Sequence, residues 1–150
     1  MNKQEVNVVH YDGLPQGGFA GIVEKLSVID ANIWPECKVR TDVSFGLGSL
    51  IRLASGHFMP NDGAPLHPHQ DVDIVTVIFN GSVAHAGTLG DGTVINGPGV
   101  QVQRAGSGMT HAEFSITDSE VDFVQIWFLP PKNGMEPEYK NFDIPNSDMI

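Results

Sequence analysis

Several features are scarce in this sequence, and each scarcity excludes a class of protein. Cys37 is the single cysteine, so no disulfide forms within the chain, and we interpret it as a small apolar residue. The few Lys and Arg residues form no cluster and the net charge is −10, which disfavours nucleic acid and anionic membrane surfaces as direct partners. Apolar runs fall far short of the roughly 18 residues that span a bilayer, and no leader-like segment opens the chain. The cytoplasm is therefore the expected location.

Long helical patterns are also lacking, whereas glycine and proline are plentiful. The 17 glycines and 10 prolines are spread along the chain, and turn signals recur about every 8–12 residues after residue 43. Residues 74–79 (IVTVIF) predict a buried strand, and Asn80-Gly81 directly after them is typical of a hairpin turn. Further strands are predicted at 43–53, 82–88, 93–95, 100–104, 109–115 and 121–129. This rhythm indicates an all-β sandwich or barrel in a single domain.

The two ends of the chain are less regular than its middle. We expect residues 1–42 to form an arm that packs on the body, although residues 22–29 could be a strand or a short helical turn. The body is predicted at 43–130, and its first half contains a loop at 60–65 (PNDGAP). A polar, proline-marked tail at 131–150 is expected to wrap the surface.

Two short motifs carry the clearest chemical signal. His67 and His69 are two residues apart, as are His111 and Glu113. Because residues i and i+2 of a strand point to the same side, each motif projects two ligands from one face. If the two strands are neighbours, four side chains that suit Fe, Mn, Ni, Co, Cu or Zn converge. Alone, either motif would more often be a surface loop or a chance pattern, but together they favour a site for one divalent metal ion.

Other polar residues allow a functional and a structural interpretation. The alternation of side chains along the strand at 82–88 could point His85 into the barrel beside the metal, although an exposed or structural position is favoured. Asp71 and Asp73 could continue the face of His69, but a turn or capping role is favoured. Gln125 is a further candidate for an interior position.

Several turn-rich segments around these motifs follow a recognisable pattern. They are 67–69 (HPH), the strand into 80–81 (NG), 96–99 (NGPG), 105–113 (AGSGMTHAE), 125–130 (QIWFLP) and 133–139 (NGMEPEY). Together they resemble the pirin family of cupins over about residues 43–145. The resemblance implies a cupin double-stranded β-helix, a jelly-roll barrel. It also implies that His67, His69, His111 and Glu113 are the metal ligands, with Fe(II) as the expected ion.

The sequence departs from the family pattern at three points. Gln70 replaces the usual basic residue after the second histidine, and Gln103 and Arg104 stand where bulky or aromatic residues are common. Pirins typically carry a second cupin domain, and the resemblance here covers one, so a homodimer is an expectation from the family. These departures leave the metal ligands in place but put the choice of substrate in doubt.

The resemblance implies two classes of function. Some pirins resemble quercetin 2,3-dioxygenases, which implies a small aromatic substrate and O2, with Glu113 as both ligand and catalytic base. Other pirins resemble metal-dependent regulatory proteins without catalytic activity, and the acidic surface would then face a basic partner. Isomerase or epimerase chemistry on sugars ranks last, because no basic cradle for a sugar phosphate is visible.

Overall fold

The computed structural model describes residues 8–35 and 43–145, and Cys37 lies outside them. The described chain is built almost entirely of strands, with one short 3₁₀ helix at Tyr11–Gly13. The strands are β1 (Gln16–Gly17), β2 (Ile22–Ile29), β3 (Leu50–Phe58), β4 (Gly63–His69), β5 (Asp73–Ile78), β6 (Ser82–Gly87), β7 (Thr93–Asn96), β8 (Gly99–Arg104), β9 (Met109–Ser115), β10 (Val121–Phe128) and β11 (Glu138–Asp143). Among the described residues, no helix has the length and apolar character needed to cross a membrane.

The strands form two antiparallel sheets. Seven strands pair in the order β1-β2-β3-β10-β5-β8-β11, and four pair in the order β4-β9-β6-β7. Strands that are distant in sequence become neighbours, which is the signature of a jelly roll. The predicted all-β class and cupin architecture are confirmed, although the described strands do not close into a complete barrel.

The segment before residue 43 contributes two of the strands in the larger sheet. β2 pairs with β3 along its whole length, with Ile22 opposite Phe58, and β1 pairs with β2. Ile22 and Glu24 are buried and Val23 is less so, which is the alternation of a strand with one face on the core. Residues 22–29 are therefore a strand, and the helical alternative for them is wrong.

β4 begins inside the segment predicted as a loop. Pro65 and Pro68 argue against a central strand because proline cannot donate to the hydrogen-bond ladder. β4, however, is the edge strand of the smaller sheet, and its one partner is β9. An edge strand tolerates proline where the missing N–H would face away from the partner strand. The HPH motif can therefore lie on β4, as the structure shows.

Two apolar clusters fill the ends of the sandwich and leave a polar interior between them. The first joins the sheets through residues such as Phe58 and Phe123 of the larger sheet and Val83 of the smaller one. The second contains Ile74 and Met109, with Trp34 and Trp127 packed against it. Among the residues that the structure describes, nine polar or charged ones are also buried: Glu24, Thr76, His85, Gln101, Gln103, His111, Glu113, Ser115 and Gln125. Buried polar groups need hydrogen-bond partners, so an interior that contains so many of them is not a purely apolar core. Such an interior is suited to a binding or catalytic site.

Candidate metal centre

Three histidines converge between β4 and β9. The register places His67 opposite His111 and His69 opposite Met109. The Nε2 atom of His111 lies 3.0 Å from Nε2 of His67 and 3.0 Å from Nε2 of His69. The alternation of the two strands therefore brings three imidazoles to one point, as the spacing of the two motifs predicts.

The hydrogen bonds of Nδ1 in two of these rings indicate which ring nitrogen carries the proton. Nδ1 of His67 lies 2.7 Å from the carbonyl oxygen of Pro65, and Nδ1 of His111 lies 2.9 Å from Oε1 of Gln103. Both partners only accept hydrogen bonds, so both Nδ1 atoms donate, and in the neutral form of such a ring the Nε2 atom carries a lone pair. Two lone pairs that face each other at this distance repel unless a cation lies between them.

The donor set therefore fits a transition-metal ion. Two nitrogens that bind one ion at right angles, each about 2.1 Å from it, are about 3.0 Å apart. The spacing between the Nε2 atoms of His111 and its two neighbours matches this value. Neutral imidazole is a ligand that such ions prefer, and each ring held through Nδ1 is already oriented for binding.

The electrostatics of the site keep two of the histidines in the form that binds metal. Burial, helped by repulsion from the neighbouring histidines, lowers the pKa of His111 to about 2. Burial, together with His67 and Arg52, lowers the pKa of His69 to about 4. Both rings are therefore neutral at neutral pH, and no proton competes with a metal ion for their Nε2 atoms.

Glu113 lies on the same face of β9 as His111 but is not packed into the histidine trio. It is buried and lines the same cavity as His67 and His69. Its carboxylate belongs to a second group of metal-ligating side chains, with His85 and His111, whose ligand atoms lie within 4.8 Å of one another. Burial and the charge of Glu24 raise the pKa of Glu113 to about 7, against a hydrogen bond from Gln103 that favours the carboxylate.

A chain of hydrogen bonds runs from β11 to the metal centre. Tyr139 hydroxyl accepts from Gln101 Nε2 at 3.0 Å, and Gln101 Oε1 accepts from Gln103 Nε2 at 2.7 Å. Gln103 Oε1 then accepts from His111 Nδ1. The hydroxyl of Tyr139 also meets that of Thr93 at 2.7 Å. The glutamine that departs from the family pattern thus fixes the orientation and the proton of a candidate ligand.

His67 and His69 line a cavity of about 460 Å³. Aromatic rings surround them: Phe19 meets His67 edge-on with ring centroids 5.1 Å apart, and Trp127 meets His69 in the same way at 5.1 Å. The remaining wall comes from β2, β3, β10 and the segment after β2, through residues that include Leu26 and Ile29 of β2, Trp34 after it, Arg52 of β3 and Gln125 of β10. The volume suits a small organic molecule, and the aromatic walls suit a flat one.

A charged pair lies inside this cavity that the sequence analysis missed. Arg52 of β3 pairs with Glu24 of β2, and both side chains are largely buried. The guanidinium carbon lies 4.9 Å from the ring centroid of Trp127, and Arg52 also donates to Oε1 of Gln125 at 3.3 Å. The interior position expected for Gln125 is found. The signal for this pair was one charged residue of opposite sign in each of two strands. Recognising it required knowing that β2 and β3 are neighbours in the sheet.

The remaining acidic candidates lie in structural contacts. Asp71 adopts a left-handed turn conformation (φ 50°) and accepts a hydrogen bond from the backbone N–H of Gly134 at 2.6 Å. Asp73 lies 3.5 Å from Nε of Arg104. Neither belongs to the groups of metal-ligating side chains found in the described parts of the chain.

Two curated proteins are similar in sequence to part of this chain. The chain is 38% identical over 102 residues to a pirin-like protein of Caulobacter vibrioides, an alignment that covers 67% of this chain and 44% of the relative. It is 33% identical over 79 residues to a quercetin 2,3-dioxygenase of Escherichia coli, covering 52% of this chain and 34% of the relative. The chain thus spans less than half the length of these curated relatives.

A solved structure supports the fold, and a family model identifies the family. The bacterial pirin YhhW of Escherichia coli, in complex with nickel(II), superposes with a TM-score of 0.74 at 22% identity, over 88% of this chain and 55% of that one. A family model described as Pirin matches residues 43–128, which contain all three clustered histidines and Glu113. With more than half of its length matched and its strands arranged as in a solved pirin, the chain belongs to the pirin family.

Proposed function

We propose that this protein binds one divalent metal ion through His67, His69, His111 and Glu113 and oxidises a small aromatic substrate with O2. The observation that carries the proposal is the meeting of three imidazole Nε2 atoms at the wall of an aromatic cavity. The relative named quercetin 2,3-dioxygenase supports the substrate class. Fe(II) is the expected ion, and the nickel(II) complex of the solved pirin makes Ni(II) the first alternative.

The bound ion would supply a Lewis acid that draws the substrate's hydroxyl oxygen and O2 together. The chain's own residues do the rest. Trp127, Trp34 and Phe19 hold a flat ring by stacking and exclude water from it. The Glu113 carboxylate faces this space and accepts the proton of the substrate hydroxyl.

Two measurements test the proposal. Elemental analysis of the purified protein is expected to find about one equivalent of a transition metal, lost in His69→Ala. Quercetin added in air is expected to lose its flavonol absorbance with the wild type and not with His69→Ala. Absence of bound metal after reconstitution with Fe, Ni, Mn, Co, Cu and Zn contradicts the metal site itself.

A second candidate is a metal-dependent interaction protein without catalytic activity. The net charge of −10 favours a basic partner for such a role. Metal binding without turnover of quercetin under any of these ions would favour it over the oxygenase. A homodimer stays a prediction from the family, and sedimentation velocity of the purified chain measures it.

A further inference from the structure

His85 is a buried residue whose ring makes no well-formed hydrogen bond. It lies on β6 and is 1% exposed, and neither Nδ1 nor Nε2 meets a partner at full hydrogen-bond geometry, although the backbone of Leu89 lies close enough to favour a proton on the ring. A neutral imidazole always carries one N–H, and burying such a donor unpaired is costly. A position this unfavourable calls for a group that the ring can reach.

Two neighbouring rings define where the His85 ring can go. The ring of Tyr139 packs against it with centroids 4.5 Å apart, and the ring of His111 lies 5.2 Å away on another side. Tyr139 is itself held by Gln101 and Thr93 through its hydroxyl, so this wall is fixed. The ring of His85 is therefore confined between a rigid aromatic surface and the metal centre.

Glu113 is the group within reach. In the β6–β9 ladder, His85 is directly opposite Glu113, and both side chains point into the interior. Side chains directly opposite each other in an antiparallel pair have Cβ atoms only about 5 Å apart. A ring nitrogen of His85, a carboxylate oxygen of Glu113 and a ring nitrogen of His111 all lie within 4.8 Å of one another. The ring nitrogen of His85 and the carboxylate oxygen of Glu113 need to approach by no more than about 2 Å to reach hydrogen-bond distance.

We propose that His85 is a positioning residue that donates a hydrogen bond to the Glu113 carboxylate and aims it at the ion held by His67, His69 and His111. The proposal rests on the metal site proposed above. It gives the buried N–H of His85 its acceptor, and it supplies the carboxylate with the outer partner that metal-ligating carboxylates usually have. His85 would act through Glu113 and not as a ligand of its own.

Metal affinity in a double-mutant cycle tests this role. The dissociation constant for Co(II) is measured by competition with a chromophoric chelator for the wild type, His85→Phe, Glu113→Ala and the double variant. His85→Phe keeps an aromatic ring against Tyr139 but removes the donor, so we expect the affinity to fall about 10–100-fold. In the Glu113→Ala background the same substitution is expected to change the affinity less than about twofold, because the acceptor has gone.

A conservative variant separates positioning from packing. His85→Gln keeps an N–H donor, and we expect it to restore most of the affinity lost in His85→Phe and the Co(II) visible spectrum of the wild type. Equal losses on the two backgrounds would make His85 an independent ligand and overturn the proposal. So would an unchanged affinity in His85→Phe, or an equal loss in His85→Gln. Metal binding by the wild type tests the proposed function separately from these comparisons.

Discussion

At the scale of single residues, the proton on Nδ1 of His111 decides which nitrogen is offered to a metal ion. Gln103 Oε1 accepts a hydrogen bond from this N–H. Gln103→Leu removes the acceptor and leaves a buried N–H unpaired, so we expect metal affinity to fall about 10–100-fold. Gln101→Leu acts one hydrogen bond further away and should cause a smaller loss. Chelator competition measures both, and equal losses would show that the chain of glutamines does not transmit orientation to His111.

A second prediction at this scale concerns the metal-free protein and pH. The lowered pKa values of His69 and His111 stabilise the fold fully above pH 6.5, and this stabilisation is lost as the pH falls toward 4 and 2. Glu113, with its pKa raised to about 7, acts oppositely: its contribution is complete below pH 4.5 and is lost as the pH rises through 7. Two histidines outweigh one carboxyl, so stability should rise between pH 4.5 and 6.5.

Thermal unfolding with a chelator present measures this dependence. The variant Glu113→Gln removes the opposing contribution, so its stability is expected to rise more steeply over the same interval than that of the wild type. An identical slope in both proteins would contradict the raised pKa of Glu113.

The sequence reveals the candidate metal ligands more readily than their supports. The i, i+2 spacing of His67 with His69 and of His111 with Glu113 predicts that each pair lies on one face of a strand, and the convergence of the two pairs depends on the pairing of the strands. The alternation of Val and Gln in 100–103 does not say which face is buried, because both sets of residues are compatible with a half-exposed strand. The structure buries Gln101 and Gln103, which tertiary pairing decides.

At the scale of strands, the β4–β9 ladder sets the position of the histidines. A Cβ on Gly63 would lie 2.0 Å from the carbonyl oxygen of Glu113, so the two strands approach too closely there for a side chain. Gly63→Ala is therefore expected to force the strands apart, to lower stability by about 1–3 kcal/mol and to weaken metal binding. Gly13→Ala is the matched control, since its added Cβ meets nothing within 4 Å.

Urea unfolding and chelator competition test both parts of that prediction. Loss of stability with unchanged metal affinity would mean that the ladder near Gly63 does not position His67 against His111. Unchanged stability would mean that the close approach is easily relieved.

Strands inside the chain are predictable where turn chemistry and apolar alternation agree. β9 has the predicted bounds, β5 is shifted by one residue toward the N-terminus, and β6 ends one residue earlier than predicted. β4 is hidden by its two prolines, which exclude a central strand but not an edge strand. β3 begins at Leu50 and not at residue 43, because Gly46 and Gly48 take positive φ values that a regular strand does not use.

At the scale of the whole molecule, metal binding and folding are linked. The three histidines lie on two strands far apart in sequence, so the unfolded chain offers no assembled site. An ion present at about 100 times its dissociation constant is expected to stabilise the fold by about 2.7 kcal/mol and to raise the melting temperature by roughly 5–10 °C. His69→Ala should show a much smaller rise, and an equal rise in this variant would place the ion elsewhere.

Part of the cavity wall comes from a different stretch of the chain than the candidate metal ligands. The histidines and Glu113 lie within the stretch matched by the family model, whereas Phe19, Glu24 and Trp34 precede it. Replacements in the early segment can therefore reshape what the cavity admits while the ligand set stays untouched. Libraries restricted to these positions would be a direct route to altered substrate preference, and natural drift there offers one way for proteins with the same metal chemistry to acquire different preferences.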